Sequence, residues 1–244
     1  MTKHTRNFDD AFRKVTNRPR IRRKRENEHR SYAEDFCHLV KKFPRDAARS
    51  TEVFDFAAKL ANNGNGDLAL EAVEYLFNSE AALVTFNKHV GFALSALANN
   101  GHASAVKEIL RRATREHPAN IAANTSIGEA YEALIHQGFV KDVAKQFFAL
   151  CVNEPKLVAE NSETGWVLSS LIQGGKVVEG IDAFIILATH EPKELAKNKT
   201  IEKAISAISA IDTQKIFGKN KADHIENLIV SLHDISRDGG RSQS

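Results

Sequence analysis

The densest chemistry in this sequence is cationic. Residues 13–25, RKVTNRPRIRRKR, hold 8 basic side chains in 13 positions and no acid. Arg18, Arg20, Arg22, Arg23, Lys24 and Arg25 could neutralise several phosphates, which implies salt-sensitive, sequence-independent contact with nucleic acid. The same composition suits a nuclear import signal or part of an organellar targeting segment, although Asp9 and Asp10 count against the latter. Pro19 interrupts any long helix there. Catalytic patterns are not found. The ten histidines show no H-E-x-x-H spacing, Gly64-Asn65-Gly66 is not a phosphate loop, and no serine occupies a G-x-S-x-G elbow. A non-enzymatic protein without metal or cofactor is therefore expected. Cys37 and Cys151 are far apart, each inside an apolar helical pattern, and read as small core residues rather than a disulfide or zinc pair.

Charge is distributed unevenly. Residues 1–30 carry 11 Lys/Arg against 4 Asp/Glu, and residues 31–244 carry 23 against 27, so an arm of +7 precedes a body of −4. With 244 residues and 42% hydrophobic content the chain can bury a substantial core. No stretch approaches the roughly 20 apolar residues of a membrane span, and residues 1–30 lack the apolar region of a secretory signal. No membrane partner is expected. The expected location is intracellular, with a mitochondrial or other organellar site and the cytoplasm both open.

A fixed period organises the body. Gly64, Gly101, Gly138 and Gly175 are 37 residues apart, as are Pro118, Pro155 and Pro192, and Pro44 lies 74 before Pro118 with Ala81 between. Asn87, Asn124, Asn161 and Asn198 form a third series, Gly91, Gly128 and Gly165 a fourth, and Leu60, Leu97, Leu134, Leu171 and Ile208 a fifth. One period shared by independent residue classes signals a helical array. The asparagines precede apolar-periodic runs and read as N-caps. A first helix such as 88–100 ends at the glycine, whose left-handed conformation turns the chain into a second helix such as 104–116. Proline then ends the hairpin. The expected fold is all-α: an α-solenoid of antiparallel helix-turn-helix repeats in a right-handed superhelix, stabilised by stacking of neighbouring units. Its parts are a basic, flexible arm at 1–29, a half repeat at 30–49, repeats at 50–86, 87–123, 124–160, 161–197 and 198–234, and a disordered tail at 237–244. The last repeat is degenerate, with Asp212 in place of the turn glycine and its second helix moved to about 222–236.

A glycine ending the first helix and a proline seventeen residues later resemble the tetratricopeptide superfamily over residues 30–234. The resemblance implies a two-helix unit and a concave surface lined by first helices. Tetratricopeptide units carry a small residue seven before the turn glycine, where this chain has Ala57, Leu94, Tyr131 and Leu168. Pentatricopeptide units place a base-reading polar residue ten before it, where this chain has Phe54, Gly91, Gly128 and Gly165, so no base code carries over. The 37-residue length is similar to heptatricopeptide relatives, which are associated with organellar RNA.

On the first helices, Asn62, Asn99, His136 and Gln173 recur two residues before the turn glycine, a hydrogen-bonding ladder suited either to a ligand or to a solvated helix end. Thr51, Lys88, Thr125, Ser162 and Lys199 form a second ladder that can reinforce capping. Trp166 shares a column with Phe92, Glu129 and Lys203 and could stack on a partner or fill the core. The interior glycines point to close helix approach, or to a flat surface admitting a ligand. Two functions follow. One is RNA association as a ribonucleoprotein subunit, with the basic arm contacting phosphates and help from Lys88, Lys107, Arg111, Arg112 and Arg115. The other is a protein-binding scaffold with a peptide or helix in the concave groove, contacted by Asn62, Asn99, His136, Gln173, Lys88 and Trp166.

Overall fold

A computed structural model describes the backbone of residues 3–16 and 25–241, and the side chains of 7–16 and 32–238. The described residues are helical, with no strand among them. The chain divides into two compact units, Met1–His117 and Pro118–Ser244. The division falls at the proline of the repeat spanning 87–123.

The first unit contains α1 (Lys3–Thr16), α2 (Arg25–Lys42), α3 (Pro44–Arg49), α4 (Thr51–Asn62), α5 (Gly66–Ser79), α6 (Ala81–Phe86), α7 (Val90–Leu97) and α8 (Ala103–Glu116). The second contains α9 (Pro118–Ala123), α10 (Ile127–His136), α11 (Val140–Asn153), α12 (Pro155–Glu160), α13 (Thr164–Gln173), α14 (Val177–His190), α15 (Pro192–Lys197), α16 (Ile201–Ser209), α17 (Thr213–Phe217) and α18 (Lys219–Arg241).

The repeating element has three helices, not two. Proline does not close a hairpin; it opens a six-residue helix, as in α3, α9, α12 and α15, because a missing N–H costs nothing in a first turn. Equivalent helices then pack in files. In the first unit α4 lies against α7, α2 and α8 against α5, and α3 against α6. In the second, α13 lies between α10 and α16, α14 between α11 and α18, and α12 between α9 and α15. The turn glycines behave as their spacing predicts: Gly64, Gly101, Gly138 and Gly175 all have φ between +83° and +97°, a region that disfavours any side chain. Leu60, Leu97, Leu134, Leu171 and Ile208 are all buried.

Both ends differ from the sequence reading. Residues 1–29 are not an unpacked arm throughout, because Phe8 and Phe12 are buried and carry α1 onto the body. Their rings pack near Phe43 and Phe56, with centroids 6.1 Å away in each case. At the other end the helix α18 runs through Arg241, so residues 237–241 are helical rather than part of a disordered tail. Gly218, at φ +78°, supplies the turn that Asp212 does not. Asp212 instead caps α17, accepting from Lys215 N at 3.0 Å.

Candidate binding surface

The residues that recur in every unit are consumed by stacking. Each asparagine of the series sits at the end of a short helix rather than at the cap position of the next. Its Oδ1 accepts from the backbone N–H two residues on: His89, Ser126, Glu163 and Thr200, at 3.0 to 3.1 Å. The amide of the same side chain reaches back one unit. Asn87, Asn161 and Asn198 donate to the carbonyls of Ala48, Ala122 and Ala159, each 39 residues earlier. They are staples between successive repeats, buried at Asn87 and Asn198 and half-buried at Asn161, and the N-cap role expected from sequence does not hold, because His89, Ser126, Glu163 and Thr200 occupy the cap positions.

Two of the interior glycines also serve stacking. A Cβ on Gly128 would lie 2.3 Å from Glu163 Cβ, and one on Gly165 would lie 1.9 Å from the backbone oxygen of Thr200. Close approach of successive first helices therefore explains both. Thr200 completes the second contact: its Oγ1 accepts from Gly165 N at 3.1 Å and lies 2.7 Å from Ser162 O.

Much of what remains exposed on the first helices falls in columns at i, i+4 and i+11, with i+7 between them, which lie on one helical face. In the first unit this face carries Thr51, Asp55, Asn62, Lys88, Phe92 and Asn99. His89 joins its two helices, with Nδ1 2.7 Å from Asp55 Oδ1 and its ring edge-on to Phe92 at 5.5 Å. Asn62 is not a free reader, since its Oδ1 accepts from Asn100 at 2.9 Å.

In the second unit the face carries Glu129, Glu132 and His136 on α10, Trp166 and Gln173 on α13, and Lys203 on α16. Trp166 is 41% exposed, and Lys203 Nζ sits 4.7 Å from its ring centroid. Burial, followed by repulsion from Glu163 and Glu129, pushes the Glu132 carboxyl above the usual carboxylate range. Burial and then Glu129 do the same to Glu163. Asn99, His136, Gln173 and Lys88 are exposed, as a ligand-contacting role requires.

The basic residues divide. Arg18, Arg20, Arg22, Arg23 and Lys24 lie outside the described residues, and Arg25 opens α2 with its side chain outside them. Lys107, Arg111, Arg112 and Arg115 share α8, whereas Lys88 belongs to the entry of α7, so the five do not form one stripe. Sequence reasoning placed Glu129 in the Trp166 column but missed Glu132, Glu163 and the His89–Asp55 pair. Columns five and eight residues after each asparagine hold some of them, and comparing those columns across units was the available signal.

No family model, no curated protein and no solved structure matches this chain. Class rests on the structure itself: an all-α protein of recurrent helical units. Among the described residues no helix is long and apolar enough to cross a membrane, and no group of His, Cys, Asp and Glu could hold a metal ion.

Proposed function

We propose that the chain is a non-enzymatic right-handed α-solenoid of tetratricopeptide-like ancestry that scaffolds protein assembly, binding a partner segment along the exposed face of its first helices. The observation that carries this reading is a contrast between columns. Buried columns repeat Asn, Gly and Leu because stacking needs them, while the exposed columns change from Lys88 and Phe92 to Glu129 and Glu132, to Trp166, and to Lys199 and Lys203. Within each compact unit, such variation suits recognition of a particular ligand rather than stacking. Large aromatics left exposed, Phe92 at 40% and Trp166 at 41%, are the residue types that anchor protein partners. The carboxylates of Glu129, Glu132 and Glu163 oppose a polyanion on this face.

Trp166 is the sole tryptophan, so its emission reports on the face directly. A peptide from a bound partner should shift that emission. Phe92→Ala, Trp166→Ala and the Asn99/His136/Gln173 triple alanine variant should weaken binding, measured by calorimetry, without changing the melting temperature. Unchanged affinity in all three folded variants would sink the reading. A second reading, RNA association within an organellar or ribosomal ribonucleoprotein, draws on residues 13–25 and on the arginines of α8 rather than on this face.

A further inference from the structure

The second helices of the first unit present a surface of different character. A groove of about 290 Å³ opens between α5 and α8, with Arg111, Arg112 and Arg115 on one side, Asn78 and Glu74 on the other, and Glu108 beside them. Ala105 and Ile109 also line it. Arg112 is half-buried, and its Nη1 donates to the neutral Oδ1 of Asn78 at 2.7 Å, so that contact orients the guanidinium without neutralising it. Arg111 Nε donates to Glu108 Oε2 at 2.8 Å, and Arg115 Nη2 to Glu116 Oε1 at 2.9 Å. Both pairs are well exposed, and an exposed ion pair is worth at most about 1 kcal/mol, so an incoming anion can exchange for either acid at little cost.

We infer that this groove binds the phosphate backbone of single-stranded RNA. Three features favour that occupant over an acidic peptide. Guanidinium forks match phosphate oxygens in pairs. Arg111 and Arg115, one turn apart, are separated by about 6 Å along the helix axis, a step comparable with that between neighbouring phosphates. The groove is also locally cationic, since α8 carries Lys107, Arg111, Arg112 and Arg115 against Glu108 and Glu116, so a polyanion meets net positive charge on that helix. The groove gives the RNA reading a site and is independent of the peptide-binding face, which lies on the first helices.

The test uses the full chain and a fluorescent single-stranded oligoribonucleotide titrated between roughly 50 and 200 mM salt, a range over which phosphate contacts are read as a slope. The wild type should bind, and the Arg111→Gln/Arg112→Gln/Arg115→Gln variant should bind about tenfold or more weakly, with the log–log salt slope reduced by about 2 for three lost single-strand contacts. Glu74→Gln should bind more tightly than wild type, a gain that misfolding cannot produce. Replacing Arg18, Arg20, Arg22, Arg23, Lys24 and Arg25 together by Gln separates the two sources of charge. If that variant loses all binding while the α8 triple and Glu74→Gln both match wild type, the groove is refuted and RNA association survives. If the wild type itself does not bind at the low-salt end, both fall. If a phosphopeptide binds the wild type and the α8 triple variant loses that binding while its RNA binding matches wild type, the occupant is an acidic peptide and the RNA assignment falls.

Discussion

Gly165→Ala should be among the most damaging conservative changes in the second unit. A methyl group there would stand 1.9 Å from Thr200 O, 2.2 Å from Thr200 C and 2.7 Å from Ile201 N, all of them backbone atoms that no rotamer change can move. Restoring contact at 3.4 Å means moving α16 away from α13 by about 1.5 Å. That separation also breaks the bond from Gly165 N to Thr200 Oγ1. Overpacking of this kind costs about 1–3 kcal/mol, and the lost hydrogen bond adds about 1 kcal/mol. Replacing a helical glycine returns about 1 kcal/mol. The net is a loss of about 2 kcal/mol, or about 4–8 °C in melting temperature for a protein of this size. Gly180→Ala is the control. Its methyl would first meet Ile172 Cγ1 at 2.9 Å, a side-chain atom that can rotate away, so the change should stay within about 1 kcal/mol of wild type. Melting followed by circular dichroism decides between them: Gly165→Ala at or above the wild-type temperature, or below it by less than Gly180→Ala, refutes close backbone approach as the reason for this glycine.

Asn198→Ala removes an amide that donates to Ala159 O at 2.9 Å and to Asn161 O at 2.7 Å; the Asn161 carbonyl keeps its bond from Thr164 N, the buried Ala159 carbonyl loses its partner, and chemical denaturation should show a loss of about 1–3 kcal/mol. Phe12→Ala should destabilise by about 3–5 kcal/mol if α1 is an integral part of the first unit, and limited proteolysis should then cut faster near residue 16. Gln146 is 7% exposed, with an unpartnered Oε1, and the matching positions in other units are Ala72, Ile109 and Ala183. Gln146→Leu should therefore be neutral or stabilising in the same denaturation assay. Glu163 binds its proton more readily in the folded chain than in the unfolded one, so stability falls as pH rises through and above the ordinary carboxylate range. Glu163→Gln should raise stability at pH 7 by under about 1 kcal/mol after solvent screening, with the gain disappearing in acid below that range; a pH-independent effect would contradict the stated cause.

The parts of the fold legible from sequence are those in which one residue type alone satisfies the backbone. Gly64, Gly101, Gly138 and Gly175 announced their turns because positive φ selects glycine, and the leucine column announced the core because burial selects apolar side chains. The short third helix stayed hidden because proline is compatible both with a helix end and with a first turn, and only three-dimensional packing decides between them. The reach of the asparagines was hidden for a related reason. A side chain that accepts from its own loop looks like a cap in one dimension, whereas its second bond, to a carbonyl 39 residues back, exists only after the units have stacked. Phe8 and Phe12 were masked by the surrounding charge, although their spacing of four places them on one helical face.

The same columns explain why the period stops where it does. Where the fourth repeat meets the fifth, stacking uses Gly165 on the first helix, Asn198 at the next entry and Gly175 at the turn, whereas the first repeat carries Phe54 in the glycine column and still packs α4 on α7. In the fifth unit all three are replaced, because Glu202 stands where Gly165 stood, Ile235 stands 37 residues after Asn198, and Asp212 stands 37 after Gly175. Ile235 has no amide to reach back to the carbonyl of Ala196, the next acceptor in the Ala122 and Ala159 series. Asp212 makes a helix cap in place of the turn, so the chain runs on into the 23-residue helix α18, which packs on both α14 and α15. The fifth repeat thus lacks the reaching asparagine and the turn glycine that its neighbours use, and α18 takes the place that a further second helix and short helix would fill.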